Sequence, residues 1–207
     1  IGQALAARFY RAGWRLALVA RREAELRSWA VGHGLAGERY RIWAADVRDL
    51  AAITGAGRDC IARHGVPDVV IANAGISIGV DTAELADLEI VKATFETNVL
   101  GMAGTIQPFV GAMRDRRAGT LVGIASVAGI RGLPGHAAYC GSKAAVIGYL
   151  ESLRGECRSS GVKVVTITPG YVDTPLTRQN RYAMPFLITP ERFADKAFTT
   201  VEAGTSY

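Results

Sequence analysis

The apolar positions of the chain follow two rhythms in turn. Short, nearly continuous aliphatic and β-branched runs, Leu16 to Ala20, Tyr40 to Ala45, Asp68 to Asn73, Gly119 to Ser126 and Val162 to Pro169, predict strands. Longer stretches of helical composition lie around them. They predict helices over Gly2 to Arg11, Glu23 to Trp29, Leu50 to His64, Leu88 to Arg116, Ala138 to Ser160 and Thr189 to Ala203. In the last of these, Thr189-Pro190-Glu191 supplies an N-cap, a first-turn proline and an early carboxylate. The runs LALVA, VVIAN and VVTIT lack the polar alternation of a half-exposed strand, so both strand faces are expected to be covered. Strands alternating with helices and covered on both faces predict a doubly wound parallel α/β sheet.

The length of 207 residues suits one domain, residues 1–207, and no repeat, linker or low-complexity tract divides it. Both ends read as cut. A fold of this kind opens with a strand and a turn, yet Ile1-Gly2 already enters a helix, and Gly204-Thr205-Ser206-Tyr207 reads as a helix stop followed by the first residue of another strand. The first and last strands are therefore expected outside these residues. An apolar share of 49% and a charged share of 21% exclude a disordered chain. No uninterrupted apolar run approaches transmembrane length, and no signal-peptide pattern is present. The net charge of +5 comes from arginines scattered along the chain, without a basic block interleaved with aromatics. Nucleic acid is therefore not an expected partner, whereas small anions are. Cys60, Cys140 and Cys157 form no C-x-x-C pair and have no histidine at ligand spacing. This predicts a reducing, cytoplasmic setting and no metal.

Candidate chemistry concentrates in Tyr139-Cys140-Gly141-Ser142-Lys143. Four residues apart on a helix, the phenol and the ammonium lie on one face, and a cation near a phenol favours the phenolate, bringing it toward a useful acid–base range. A buried aromatic beside a solvated lysine would fit the same spacing. Ser126 stands at the end of the strand GTLVGIAS, and in open parallel sheets ligands bind beyond the carboxyl ends of strands. Asn73-Ala74-Gly75 ends a second strand, and Pro169-Gly170-Tyr171-Val172-Asp173-Thr174 follows a third. Three strand ends thus converge on one crevice. Cys140 reads as a small buried filler beside it, and His136 as an ordinary helix-start residue.

The order Asn73-Ala74-Gly75, Asn98, Ser126, Tyr139-x-x-x-Lys143, Pro169-Gly170-x-Val172-x-Thr174 resembles the classical branch of the short-chain dehydrogenase/reductase family, over residues 1 to about 176. The resemblance implies a Rossmann-like fold and an enzyme that interconverts a ketone or aldehyde and an alcohol with a nicotinamide cofactor. Tyr139 would be the proton donor or acceptor and Ser126 would bond the carbonyl oxygen. Lys143 would hold the ribose hydroxyls and favour the phenolate, and Asn98 would support a water relay to Lys143. Ile1-Gly2 resembles the tail of the family's glycine-rich opening loop. Asp46-Val47 resembles its adenine-binding pair, although Asp46 or Asp49 could equally cap the next helix. An acidic residue at the end of the first visible strand would suit a ribose hydroxyl. Here Ala20-Arg21-Arg22 suits a 2′-phosphate, so NADP is expected over NAD. Ala72, where many relatives carry asparagine, and Cys140, where serine is common, depart from the pattern without removing a catalytic group. The resemblance also implies a homodimer or homotetramer. Substrate shape would be set by Val127 to Gly135 and by Leu176 to Leu187, the latter an apolar lid or part of the core. Two other readings are a dinucleotide-sensing regulator without turnover and a sugar-nucleotide epimerase of the family's extended branch.

Overall fold

The structure, a computed structural model, describes residues 1–179 and 183–205. Its elements run α1 (Gly2–Arg11), β1 (Leu16–Ala20), α2 (Glu23–Gly32), β2 (Tyr40–Ala44), α3 (Leu50–His64), β3 (Val69–Ala72), α4 (Leu88–Phe95), α5 (Gly101–Arg116), β4 (Gly119–Ile124), α6 (Ala137–Cys157), β5 (Val162–Ile167) and α7 (Pro190–Ala203). All pairings are parallel. They form two sections, β1 beside β2 and the order β3-β4-β5. The facing edges of β1 and β3 are not hydrogen-bonded to one another among the described residues, and both line a cleft of about 1550 Å³.

The three-stranded section explains the continuous apolar runs. Val70 and Ala72 of β3, Leu121 of β4 and Val164 of β5 point into one cluster with Met102, Ile106 and Phe109 of α5 and Val146 and Leu150 of α6. Val122, Ile124 and Val165 point the other way, against Leu5 and Phe9 of α1 and Phe193, Ala197 and Val201 of α7. Side chains alternate faces along a strand, so a run apolar at every position buries both sides. The sheet and its flanking helices approach closely where side chains vanish. A Cβ on Gly123 would collide with Leu150 of α6, and one on Gly57 of α3 would stand 2.8 Å from Pro108 of α5.

Helix ends follow local chemistry. Asp49 caps α3 by accepting from Ala52 N–H at 2.9 Å, and Thr189 caps α7 by accepting from Arg192 N–H at 3.2 Å. Gly204 ends α7 in the left-handed conformation. The expected helix from Leu88 to Arg116 is interrupted. Glu96–Leu100 forms a π turn between α4 and α5, and Pro108 lies inside α5. A π turn inserts a residue into the helix, a change that hydrophobic periodicity does not record.

No described helix is long and apolar enough to cross a membrane, and no described cluster of three His, Cys, Asp or Glu side chains is placed to hold a metal. The continuation expected at Ser206 and Tyr207 lies outside the described residues. So do residues 180–182, Tyr182 among them, in the expected lid. Elsewhere in that segment Leu176 lines the cleft, whereas Phe186, at φ 58°, is 95% exposed and no part of the core. Gly123→Val should force α6 off β4 and lower stability by about 1–3 kcal/mol, read from urea unfolding monitored by far-ultraviolet circular dichroism.

Candidate active site

The carboxyl ends of β3, β4 and β5 open on the cleft, and Asn73, Ala74, Gly75, Ser126, Pro169, Gly170, Val172 and Thr174 all line it. Ser126 leaves β4 in an extended conformation, and its Oγ accepts from Ala128 N–H at 3.2 Å, capping the short turn Val127–Gly129. That bond occupies a lone pair and leaves the hydroxyl proton free for another acceptor. The turn presses on α6. A Cβ on Gly129 would stand 2.7 Å from the carbonyl carbon of Lys143 and 2.8 Å from its oxygen, so only glycine permits this approach.

Tyr139 and Lys143 sit in the first two turns of α6 and both line the cleft. Lys143 is 4% exposed, and its Nζ donates to the carbonyl of Ile124 at 2.8 Å, at the end of β4. Burial pushes its pKa down to about 8. The ammonium lies 5.7 Å from the centre of the Tyr139 ring. The expectation that this cation lowers the phenol's pKa is not met in this structure. Burial pushes the Tyr139 pKa up, because it takes the phenolate out of water, with the hydrogen bond to Ser126 acting in the opposite direction.

Asn98 belongs to the π turn and is 1% exposed. Unlike the other residues expected at the site, it does not line the cleft. Its Oδ1 accepts from Ile76 N–H at 2.8 Å, and its Nδ2 donates to Ile76 O and to Ser142 Oγ, each at 2.9 Å. Ser142 Oγ donates in turn to Tyr139 O at 2.8 Å. Asn98 thus braces the loop after β3 against α6 with no direct bond to Lys143. A Cβ on Gly75 would stand 3.2 Å from Asn98 Oδ1 and 3.5 Å from Lys143 Nζ, so the loop reaches both groups through a bare backbone. Thr174 is nearly buried, and Thr177 Oγ1 pins its turn by accepting from Thr174 N–H at 2.9 Å and donating to Val172 O at 2.6 Å. Cys140 is buried, as its filler reading requires, and His136 stands as the N-cap residue of α6 without a side-chain capping bond.

The remaining expected positions mark the other reach of the cleft. Ile1 and Gly2 line it at the start of α1, which has no side-chain cap, so the first-turn amides keep donors available to an anion. A Cβ on Gly2 would stand 2.7 Å from Asn73 Nδ2, which joins this turn to the end of β3. Arg21, Arg22, Asp46 and Val47 line the cleft beyond the ends of β1 and β2. Arg22 is tied to Glu25 at 2.6 Å, whereas Arg21 faces Asp46 at 4.0 Å. Asp49, not Asp46, caps α3, so Asp46 keeps its carboxylate toward Arg48, which lowers its pKa.

The chain matches the family model described as short chain dehydrogenase over residues 1–184. The chain belongs to the short-chain dehydrogenase family. With that family it takes its place among the NAD(P)-dependent oxidoreductases. An uncharacterised oxidoreductase of Myxococcus xanthus (strain DK1622) is 38% identical over 188 residues, covering 91% of this chain and 74% of the relative. The monensin polyketide synthase putative ketoacyl reductase of Streptomyces virginiae is 34% identical over 163 residues, covering 77% of this chain and 62% of the relative. Among solved structures, a short-chain dehydrogenase from Streptomyces avermitilis superposes with a TM-score of 0.86 at 26% identity, covering 97% of this chain and 80% of that one.

Four residues of this short-chain dehydrogenase site have no role in the family pattern quoted from the sequence: Arg48, Gly129, Ser142 and Thr177. Gly129 and Ser142 could have been found from their places, a glycine three residues after Ser126 and a hydroxyl one residue before Lys143. Arg48 and Thr177 depend on loop geometry. Lys143→Met should stabilise the chain at pH 7 by on the order of 1–3 kcal/mol, since it removes a buried charge. Below pH 8 the folded and unfolded lysines are both protonated and the penalty is complete. From about 8 to its ordinary value near 10.5 only the unfolded chain holds the proton, so wild-type stability rises and the variant's advantage shrinks. Thermal melts of both proteins at intervals from pH 7 to 10 check the sign.

Proposed function

We propose that this short-chain dehydrogenase is an NADP(H)-dependent oxidoreductase that interconverts a ketone or aldehyde and the corresponding alcohol, with Ser126, Tyr139 and Lys143 as its catalytic residues. The observation that carries the reading is the convergence of a hydroxyl, a phenol and a buried ammonium on one wall of the cleft at the end of β4. A bound nicotinamide supplies the hydride donor or acceptor.

The chain's own residues do the rest. Ser126 donates its free O–H to the substrate oxygen and stabilises the negative charge that grows there during reduction. Tyr139, held protonated near neutral pH by burial, hands its phenolic proton to the same oxygen, and recovers it when an alcohol is oxidised. Lys143 is largely protonated near pH 7, and its Nζ can exchange the Ile124 carbonyl for ribose hydroxyls and favour the phenolate once Tyr139 has given up its proton. Asn98 acts through the Ile76 loop and Ser142, making it a positioning residue in this reading.

The residues fit the cofactor. The first-turn amides of α1, beginning at Gly2, and the bare backbone of Gly75 and Gly170 suit a pyrophosphate and a ribose in close contact. Asn73, Ala74, Pro169, Val172 and Thr174, which line the cleft, would hold the nicotinamide end, and Asp46 and Val47 would hold the adenine end. Arg21 suits a 2′-phosphate better than Arg22, whose guanidinium is committed to Glu25. Similarity to a putative ketoacyl reductase supports a carbonyl substrate.

Tyr139→Phe should lower kcat/KM for a carbonyl substrate by about 10²- to 10⁴-fold, followed at the nicotinamide absorbance, while cofactor Kd stays within about threefold. Undiminished turnover would refute the assignment. Arg21→Ala should raise the Kd for NADPH by about tenfold or more and leave that for NADH nearly unchanged, as measured by nicotinamide fluorescence titration.

A further inference from the structure

Beyond β2 the chain turns through Asp46-Val47-Arg48 before α3 begins. Arg48 folds back on Asp46 through its backbone N–H, its Nε and one terminal guanidinium nitrogen. Its backbone N–H reaches Oδ1 at 3.0 Å, its Nε reaches Oδ1 at 3.3 Å and Oδ2 at 3.2 Å, and a terminal guanidinium nitrogen reaches Oδ2 at 2.8 Å. From the end of the neighbouring strand β1, Arg21 approaches the same Oδ2 only to 4.0 Å, and that is its one ion-pair contact among the described residues. Glu96 of the π turn adds a further negative charge on the side of Arg48. The arrangement is two guanidiniums and one carboxylate, with the carboxylate's acceptors committed to one guanidinium.

This division of partners matters for an anionic ligand. An Asp46 carboxylate without Arg48 would be drawn into a forked pair with Arg21, the nearest other cation, and would repel a phosphate arriving at the same place. With Arg48 in place the carboxylate is satisfied locally, and the Arg21 guanidinium, 54% exposed, keeps its fork for a phosphomonoester. We propose that Arg48 is a positioning residue for cofactor choice, which occupies Asp46 so that Arg21 stays free to take the 2′-phosphate of a phosphorylated dinucleotide. The inference rests on the NADP(H) reading and adds a residue to it. Arg48 need not touch the cofactor, and the turn between β2 and α3 becomes a determinant of specificity alongside the end of β1.

A double-mutant cycle in the full chain tests the proposal, with Kd for NADPH and for NADH measured by nicotinamide fluorescence. Arg48→Ala is expected to raise the NADPH Kd by about tenfold and the NADH Kd by less than about twofold. In an Asp46→Asn background, where no carboxylate remains to capture Arg21, adding Arg48→Ala is expected to change the NADPH Kd by less than about twofold. An undiminished loss in that background would overturn the proposal, because Arg48 would then act directly on the cofactor. Equal losses for both cofactors, or no loss for either, would overturn it as well. Arg21→Ala separates the two ideas. If the wild type binds NADPH no tighter than NADH, the NADP(H) reading itself fails; if Arg21→Ala leaves an existing preference intact, the 2′-phosphate does not sit on Arg21 and the role of Arg48 falls with it; if Arg21→Ala collapses the preference while Arg48→Ala does not, only the role of Arg48 fails.

Discussion

A buried ammonium bonded at 2.8 Å to the carbonyl of Ile124 ties the helix that carries Tyr139 to the strand that delivers Ser126. Taking a charge out of water is costly unless strong partners receive it. Lys143 is buried, and the turn Val127–Gly129 packs against its backbone, an approach that Gly129 alone permits. Hydroxyl, phenol and ammonium are therefore fixed relative to one another by the packing of β4 on α6, with the glycines at 123 and 129 setting the distance. A lysine held with its charge only partly compensated stores the capacity to favour a nearby anion, at some expense in stability.

The architecture was legible because the strands of the three-stranded section bury both faces. Val122 and Ile124 face α1 and α7 while Leu121 faces α5 and α6, and a run without polar alternation records that double burial directly. Strand order was not legible, since pairing depends on tertiary placement. Tyr139, Lys143, Ser126 and the loops after β3 and β5 could be placed at one site because strand ends in a parallel sheet share one side. Their electrostatics could not. Spacing puts a lysine near a tyrosine, but how far burial raises the phenol's pKa is a matter of ångströms and solvent. Asn98 illustrates the same limit: its position follows the family pattern, yet its bonds to Ile76 and Ser142 arise from a π turn that no periodicity reveals.

The two reaches of the cleft are built on different physics. Around Tyr139 the groups are buried and neutral or singly charged, so small displacements carry large electrostatic consequences. Around Arg21, Asp46 and Arg48 the charges are partly exposed and numerous, and each pair is weakened by solvent and salt. Geometry therefore governs the chemistry at one end, whereas the pattern of partners among like and unlike charges governs recognition at the other.

The π turn at Glu96–Leu100 has a consequence for what the chain can tolerate. One additional residue in a helix rotates everything after it by about 100° about the axis. In the present phase Gly101 meets Val47, and Gly104 meets Leu50 and Ile53. Deleting a single residue between 96 and 100 would swing that contact face away from α3 and turn Asn98 from the Ile76 loop in the same stroke. This stretch is thus a phase-setting insert, more sensitive to changes in length than to most exchanges of side chain.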